Sequence, residues 1–209
     1  MHKSKKVVIA MLMASVLLAA CGKATSDTKK DSASLGLNTE VASLDTLKAQ
    51  DPNSFDVQAT LINGLYKMNA KDKVVPDIAK GMPIKSKNNT VYTINLRHNA
   101  KWSNGASVTA DDFVYAWQRG ANPTTKSNYG YIIQTIVKNG NKIAAGKMAA
   151  SKLGVQATSK YQLKVTLQKS TPYFTSLLTF NPYFPQNRKF VTKQGKKYAT
   201  SPSTMIYKE

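Results

Sequence analysis

Between Tyr161 and Gln168 the chain alternates without a break, with Tyr161, Leu163, Val165 and Leu167 on one side and Gln162, Lys164, Thr166 and Gln168 on the other. A two-residue period predicts a half-buried β-strand, because successive side chains leave opposite faces of the backbone. Such a strand needs a partner for its hydrogen bonds and a cover for its apolar face. The segment VYTINLR offers the partner, setting Tyr92, Ile94 and Leu96 against Thr93, Asn95 and Arg97. The cover is helical. Thr109-Ala-Asp-Asp112 is a capping-box-like start with Asp111 and Asp112 in the positive first turn, and Phe113, Ala116 and Trp117 follow at i, i+3, i+4. Tyr131 to Val137 predicts a second helical stretch. A helix is also expected through NSFDVQATLINGLYKMN, from Val57, Leu61, Ile62, Leu65 and Tyr66, with Gly64 its weak point. Thr171-Pro172 is expected to open a helix over YFTSLLTF, and Leu35 to Asn38 to form a short strand. Strands that pair across helices without a βαβ rhythm predict an α+β fold.

The N-terminus reads as an address. Lys3, Lys5 and Lys6 precede an apolar run from Val7 to Ala20. Fourteen residues fall short of the roughly 20 needed to span a bilayer and fit the core of a secretory signal. The run ends in Leu18-Ala-Ala-Cys21-Gly22, which resembles a bacterial lipoprotein lipobox. That resemblance makes residues 1–20 a lipoprotein signal peptide and Cys21 the lipid attachment point. Residues 21–34 become the lipidated cysteine and a polar tether.

The formal net charge of +19 is extreme, yet only Arg97, Arg119 and Arg188 of the thirty basic residues are arginine. Lysine spread along the chain favours a solvated cationic surface over a base-reading head, which would use the planar arginine fork. Nucleic acid is therefore not expected as a partner. A cationic body held near an anionic membrane or wall is the more natural reading.

Candidate chemistry is sparse. The single cysteine excludes an intrachain disulfide, and two histidines, His2 and His98, leave little for a metal site. Adjacent Asp111 and Asp112 would leave a helix about 100° apart and cannot face one catalytic centre. Nucleophile elbows and phosphate-cradling glycine loops are absent from the sequence. Neither an enzyme nor a cofactor or metal is expected. Trp117 sits on the apolar stripe, so both it and Trp102 read as core rather than as a stacking platform.

The segment Tyr92 to Arg119, YTINLRHNAKWSNGASVTADDFVYAWQR, closely resembles the signature of the family 5 extracellular solute-binding proteins, the oligopeptide-binding lipoproteins of ABC importers. The likeness continues in Glu40 to Asn69, in VVPDIAKGMPI and in KLGVQATSKYQLKVTLQKSTPYFTSLLTF. It implies a periplasmic-binding-protein-like fragment (type II, cluster C), a small inserted domain plus an incomplete lobe I. Residues 35–62 would be the N-terminal part of lobe I, 63–186 the small second domain, and 187–209 a truncated return into lobe I. Lys197 to Glu209 resembles a family segment but stops before that segment's end, so the large ligand-facing lobe and most of lobe I are expected to lie outside this sequence, with peptide binding weakened or lost.

The resemblance further implies a substrate-binding lipoprotein that captures oligopeptides for an ABC permease, lipid-anchored on the extracytoplasmic face of the cell membrane of a Gram-positive bacterium. By position it assigns ligand contact to the loop Gln50-Asp51-Pro52 and to Tyr129. The alternative is a repurposed cationic cell-surface lipoprotein that binds wall or a partner.

Overall fold

The computed structural model describes residues 36–37 and 40–207. The segments expected to be signal peptide (1–20) and lipidated tether (21–34) lie outside the described residues. In chain order the elements are α1 (Pro52–Leu61), β1 (Tyr66–Met68), β2 (Val74–Pro76), β3 (Ile84–Lys85), β4 (Val91–Asn95), α2 (Ala110–Ala121), α3 (Gly130–Ile136), α4 (Gly140–Ala144), β5 (Val155–Ser159), β6 (Gln162–Thr166), α5 (Phe174–Leu177) and α6 (Arg188–Gln194).

The two alternating segments pair as expected. β4 and β6 run antiparallel with Tyr92 opposite Val165 and Ile94 opposite Leu163, all four buried. β3 flanks β4 and β5 flanks β6, giving a wholly antiparallel sheet in the order β3-β4-β6-β5. β3 is two residues long, and β5 slips register between Ala157 and Ser159. β1 and β2 form a separate hairpin.

α2 covers the apolar face of the sheet, burying Phe113, Ala116 and Trp117. Its start is the capping box read in the sequence. The Asp112 carboxylate accepts the Thr109 backbone N–H at 2.8 Å and the Thr109 hydroxyl at 3.3 Å. The same oxygen accepts the Trp102 indole N–H at 3.3 Å. Asp112 thus joins the helix start to a buried tryptophan ten residues earlier. Burial pushes its carboxyl up, and the Thr109 and Trp102 hydrogen bonds only partly offset this. Trp117 donates to the Tyr183 carbonyl at 2.9 Å and meets the Tyr183 ring edge-on at 5.0 Å. Both tryptophans are structural. The Asn104-Gly105 turn is present, with Gly105 at φ +79°. His98 is exposed and stacks on Tyr161 at 4.3 Å.

Three local expectations need correction. α1 stops at Leu61, so Leu65 and Tyr66 are not helical. The Gly64 carbonyl accepts from Ile78, and that of Leu65 from Asp77 and Ala79, so strand-like pairing competes with the helix and wins. A Cβ on Gly64 would lie 2.6 Å from the Phe184 ring, so this close crossing requires glycine. The short helix after Thr171-Pro172 begins only at Phe174, with Tyr173 as its cap residue; Thr171 is buried, and its carbonyl accepts from the Tyr92 hydroxyl at 3.4 Å. Residues 36–37 are not strand.

The described residues from Leu37 onward pack as one unit. Its core cluster runs from Ile62 through the sheet and α2 to Val191, Tyr198, Met205 and Ile206.

Candidate functional site

The loop Gln50-Asp51-Pro52 is the entry to α1. Asp51 is its N-cap, accepting the Ser54 backbone N–H at 2.8 Å, and Pro52 occupies the first turn, where its missing N–H costs no hydrogen bond. Hydrogen bonding to Ser54 holds the Asp51 carboxyl below the usual carboxylate value. Gln50 and Pro52 are exposed.

Tyr129 caps α3 by position, half-buried. Its ring meets Phe180 at 5.1 Å and Phe55 at 5.7 Å. Phe55 lies in the first turn of α1, one turn beyond Asp51, so the loop and the tyrosine belong to one edge of the molecule. The backbones agree. Asn128 donates from its N–H to the Leu47 carbonyl at 3.1 Å and from its side-chain amide to the Lys48 carbonyl. The Lys48 ammonium donates back to the Lys126 carbonyl at 3.1 Å and to that of Thr125. The neighbours of the expected ligand loop, Leu47, Lys48 and Phe55, thus meet the segment of Tyr129, although residues 50 and 129 lie 79 positions apart.

Two features were not anticipated. The first is a polar network centred on Asp45 and Arg119. Arg119 grips the Asp45 carboxylate with both terminal nitrogens, at 3.0 and 2.7 Å, and donates to the Gln186 side-chain carbonyl at 3.0 Å. The Gln186 amide donates to Asp45 at 3.1 Å and to the Thr46 hydroxyl at 3.0 Å. Gln58 donates to the Ser43 carbonyl at 3.0 Å and accepts from Asn181 at 2.9 Å. Burial works against the Arg119 charge, but the hydrogen bonds and charge of Asp45 outweigh it and raise its pKa. Arg119 closes the α2 signature in the sequence, but no spacing links it to Asp45 or Gln186.

The second is a groove of roughly 1080 Å³ with Asp45 and Arg119 among its lining and Leu44, Val57, Leu61, Tyr198 and Met205 along its walls. Neither the Gln50 loop nor Tyr129 lines it. Lys48 and Thr125, whose hydrogen bond ties the approach of the Gln50 loop to the Tyr129 segment, do line it, so the two features adjoin.

The profile describing bacterial extracellular solute-binding proteins, family 5 (middle part) matches residues 73–207. A dipeptide-binding protein of Lactococcus lactis subsp. cremoris (strain MG1363) is 39% identical over 195 residues, covering 93% of this chain and 35% of that protein. OppA of Listeria monocytogenes, solved bound to peptide, superposes with a TM-score of 0.77 at 43% identity, over 79% of this chain and 32% of that one. The substrate-binding domain of an oligopeptide ABC transporter from Bacillus anthracis str. Ames superposes with a TM-score of 0.79 at 38% identity, over 82% of this chain and 33% of that one.

These likenesses and the antiparallel sheet under its helices define an α+β, periplasmic-binding-protein-like fold. The chain belongs to the bacterial extracellular solute-binding proteins, family 5. It spans about a third of the length of the relatives it matches.

Proposed function

We propose that this chain provides one wall of the peptide cleft in the substrate-binding lipoprotein of an oligopeptide ABC importer. Gln50, Asp51 and Pro52 run beside the peptide backbone, and Tyr129 faces its side chains. Residues 35–62 and 187–209 belong to lobe I, and residues 63–186 form the small second domain. Cys21 carries the lipid that holds the body on the outer face of the cell membrane of a Gram-positive bacterium, where it delivers peptide to the permease.

The observation that carries this reading is the meeting of the Gln50 loop and Tyr129 at one edge, through Phe55 and the Asn128 hydrogen bonds. It occurs in a chain 43% identical, over the shared part, to a protein solved with peptide bound. Extended peptides are held largely by main-chain hydrogen bonds, as an added strand, so affinity depends little on peptide sequence. A site that encloses its ligand buries about 70–90% of it and needs two walls. One wall alone gives weak binding.

Isothermal titration with mixed di- to pentapeptides tests this. Heat saturating at about millimolar peptide is expected, with Tyr129→Ala weakening it severalfold. Absence of heat at that concentration, or an unchanged Tyr129→Ala titration, would count against the assignment.

A further inference from the structure

Among the described residues, acidic side chains are confined to the stretch up to Asp112. Between Glu40 and Asp112 nine basic residues meet eight acidic ones, whereas between Phe113 and Tyr207 fourteen basic residues meet none. Ile78 to Ala110 also lacks an acidic residue. The entire four-stranded sheet, together with α3 and α4, is thus built without a carboxylate side chain.

Hydrogen bonds gather four lysines of this region at one end of the sheet. The Lys138 N–H donates to the Thr166 carbonyl at the end of β6 at 2.9 Å, and its carbonyl accepts from Gly154, just before β5, at 2.8 Å. The Lys147 N–H donates to the Lys142 carbonyl across the end of α4 at 2.8 Å. The Asn139 amide donates to the Lys152 carbonyl at 2.6 Å. All four lysines are exposed. The ion pairs among the described residues are Lys67–Asp77 and Arg119–Asp45, so none of the four is compensated.

We propose that this end of the sheet docks on an anionic phospholipid bilayer. Uncompensated like charges repel one another, and a surface of opposite sign relieves that repulsion. Lysine suits a diffuse charged surface, since it offers a mobile point charge instead of the bidentate fork that reads a single phosphate. Thirteen residues separate Cys21 from Leu35, a chain length of at most about 45 Å. A body held so close meets the membrane at high effective concentration, and an acyl anchor with a basic patch gives the two-signal attachment that one alone lacks. Charge and geometry stand by themselves; only the choice of a bilayer over a soluble polyanion rests on the reading of Cys21 proposed above.

The test is partition of the full chain onto vesicles of phosphatidylcholine with and without about 30% phosphatidylglycerol, the neutral vesicles reading the contribution of the apolar run. Lys138→Gln/Lys142→Gln/Lys147→Gln/Lys152→Gln is expected to lose roughly tenfold or more of the anionic-specific partition. The control Lys67→Gln/Lys71→Gln/Lys73→Gln/Lys80→Gln removes the same charge near Asp72 and Asp77 and is expected to lose less than about threefold. Equal losses in the two sets would reduce the effect to net charge and overturn the patch. Equal partition of the unmodified chain onto neutral and anionic vesicles, with or without retention on soluble polyphosphate, would overturn the bilayer. Should the quadruple variant melt early, salt dependence of the unmodified chain decides. Binding unchanged between about 50 and 500 mM salt would refute the proposal. Because the vesicle assay needs no acylation, an unlipidated Cys21 would sink the anchor without touching the patch.

Discussion

Arg119 and Asp45 form a two-point pair, both terminal nitrogens on both carboxylate oxygens, across 74 residues of sequence. The pair fastens the segment before α1 to the last turn of α2. Gln186 closes the arrangement from the far side.

Breaking one half of this pair leaves a buried charge without its partner. Arg119→Ala is expected to cost about 3 kcal/mol, read as a lower urea midpoint at unchanged slope. Arg119→Lys keeps the charge but not the fork and should fall between the two. The double change Asp45→Leu/Arg119→Met is expected to cost less than the sum of the single changes, since it removes both charges together. Additive losses would mean that the pair does not couple.

Asp112 gives a pH signature. Burial holds its folded carboxyl above the ordinary aspartate value. The folded state therefore holds the proton more tightly than the unfolded chain, and the stability this adds is complete below about 3.8 and lost as pH rises through the folded value. Asp112→Asn can still accept from Thr109 and Trp102 but cannot ionise. The stability advantage of the unmodified chain over Asp112→Asn should be greatest near pH 3 and shrink toward neutrality in urea titrations. An advantage that grows with pH would refute this.

Gly140 opens α4 where the chain crosses its own backbone. An added Cβ would lie 2.2 Å from the Gln134 carbonyl oxygen. Gly140→Ala must displace main chain and is expected to cost about 2 kcal/mol or more, while Gly146→Ala meets open space and pays only for its left-handed φ of +70°. Comparable losses at both would show that the crossing is loose.

The anchor can be read directly. Growth with labelled palmitate should label the unmodified chain and leave Cys21→Ser unlabelled and released from membranes. Equal labelling of the two would remove Cys21 from the proposal.

Much of this fold is legible in the sequence because its governing interactions are local. The alternation at Tyr92 to Leu96 and Tyr161 to Leu167 sets which faces are buried, and Thr109 and Asp112 mark a helix start within four residues. Where the reading fails, a distant segment decides. α1 ends early because Gly64 and Leu65 pair with residues 77–79, and Phe184 needs a glycine beneath it. The site divides in the same way. Position within a family resemblance points to the Gln50 loop and Tyr129, and in the structure the loop's neighbours Lys48 and Phe55 meet Asn128 and Tyr129. The Asp45–Arg119–Gln186 network left no trace, because nothing in the spacing of 45, 119 and 186 requires them to meet.

The ends of the four-stranded sheet bear on how copies tolerate crowding. One border is β3, only Ile84 and Lys85; the other is β5, whose register breaks between Ala157 and Ser159. Long, straight borders with free amide and carbonyl groups invite another chain to add a strand, and short or bulged borders do not. Crowded copies of this chain would find no ready template along these borders for adding a strand.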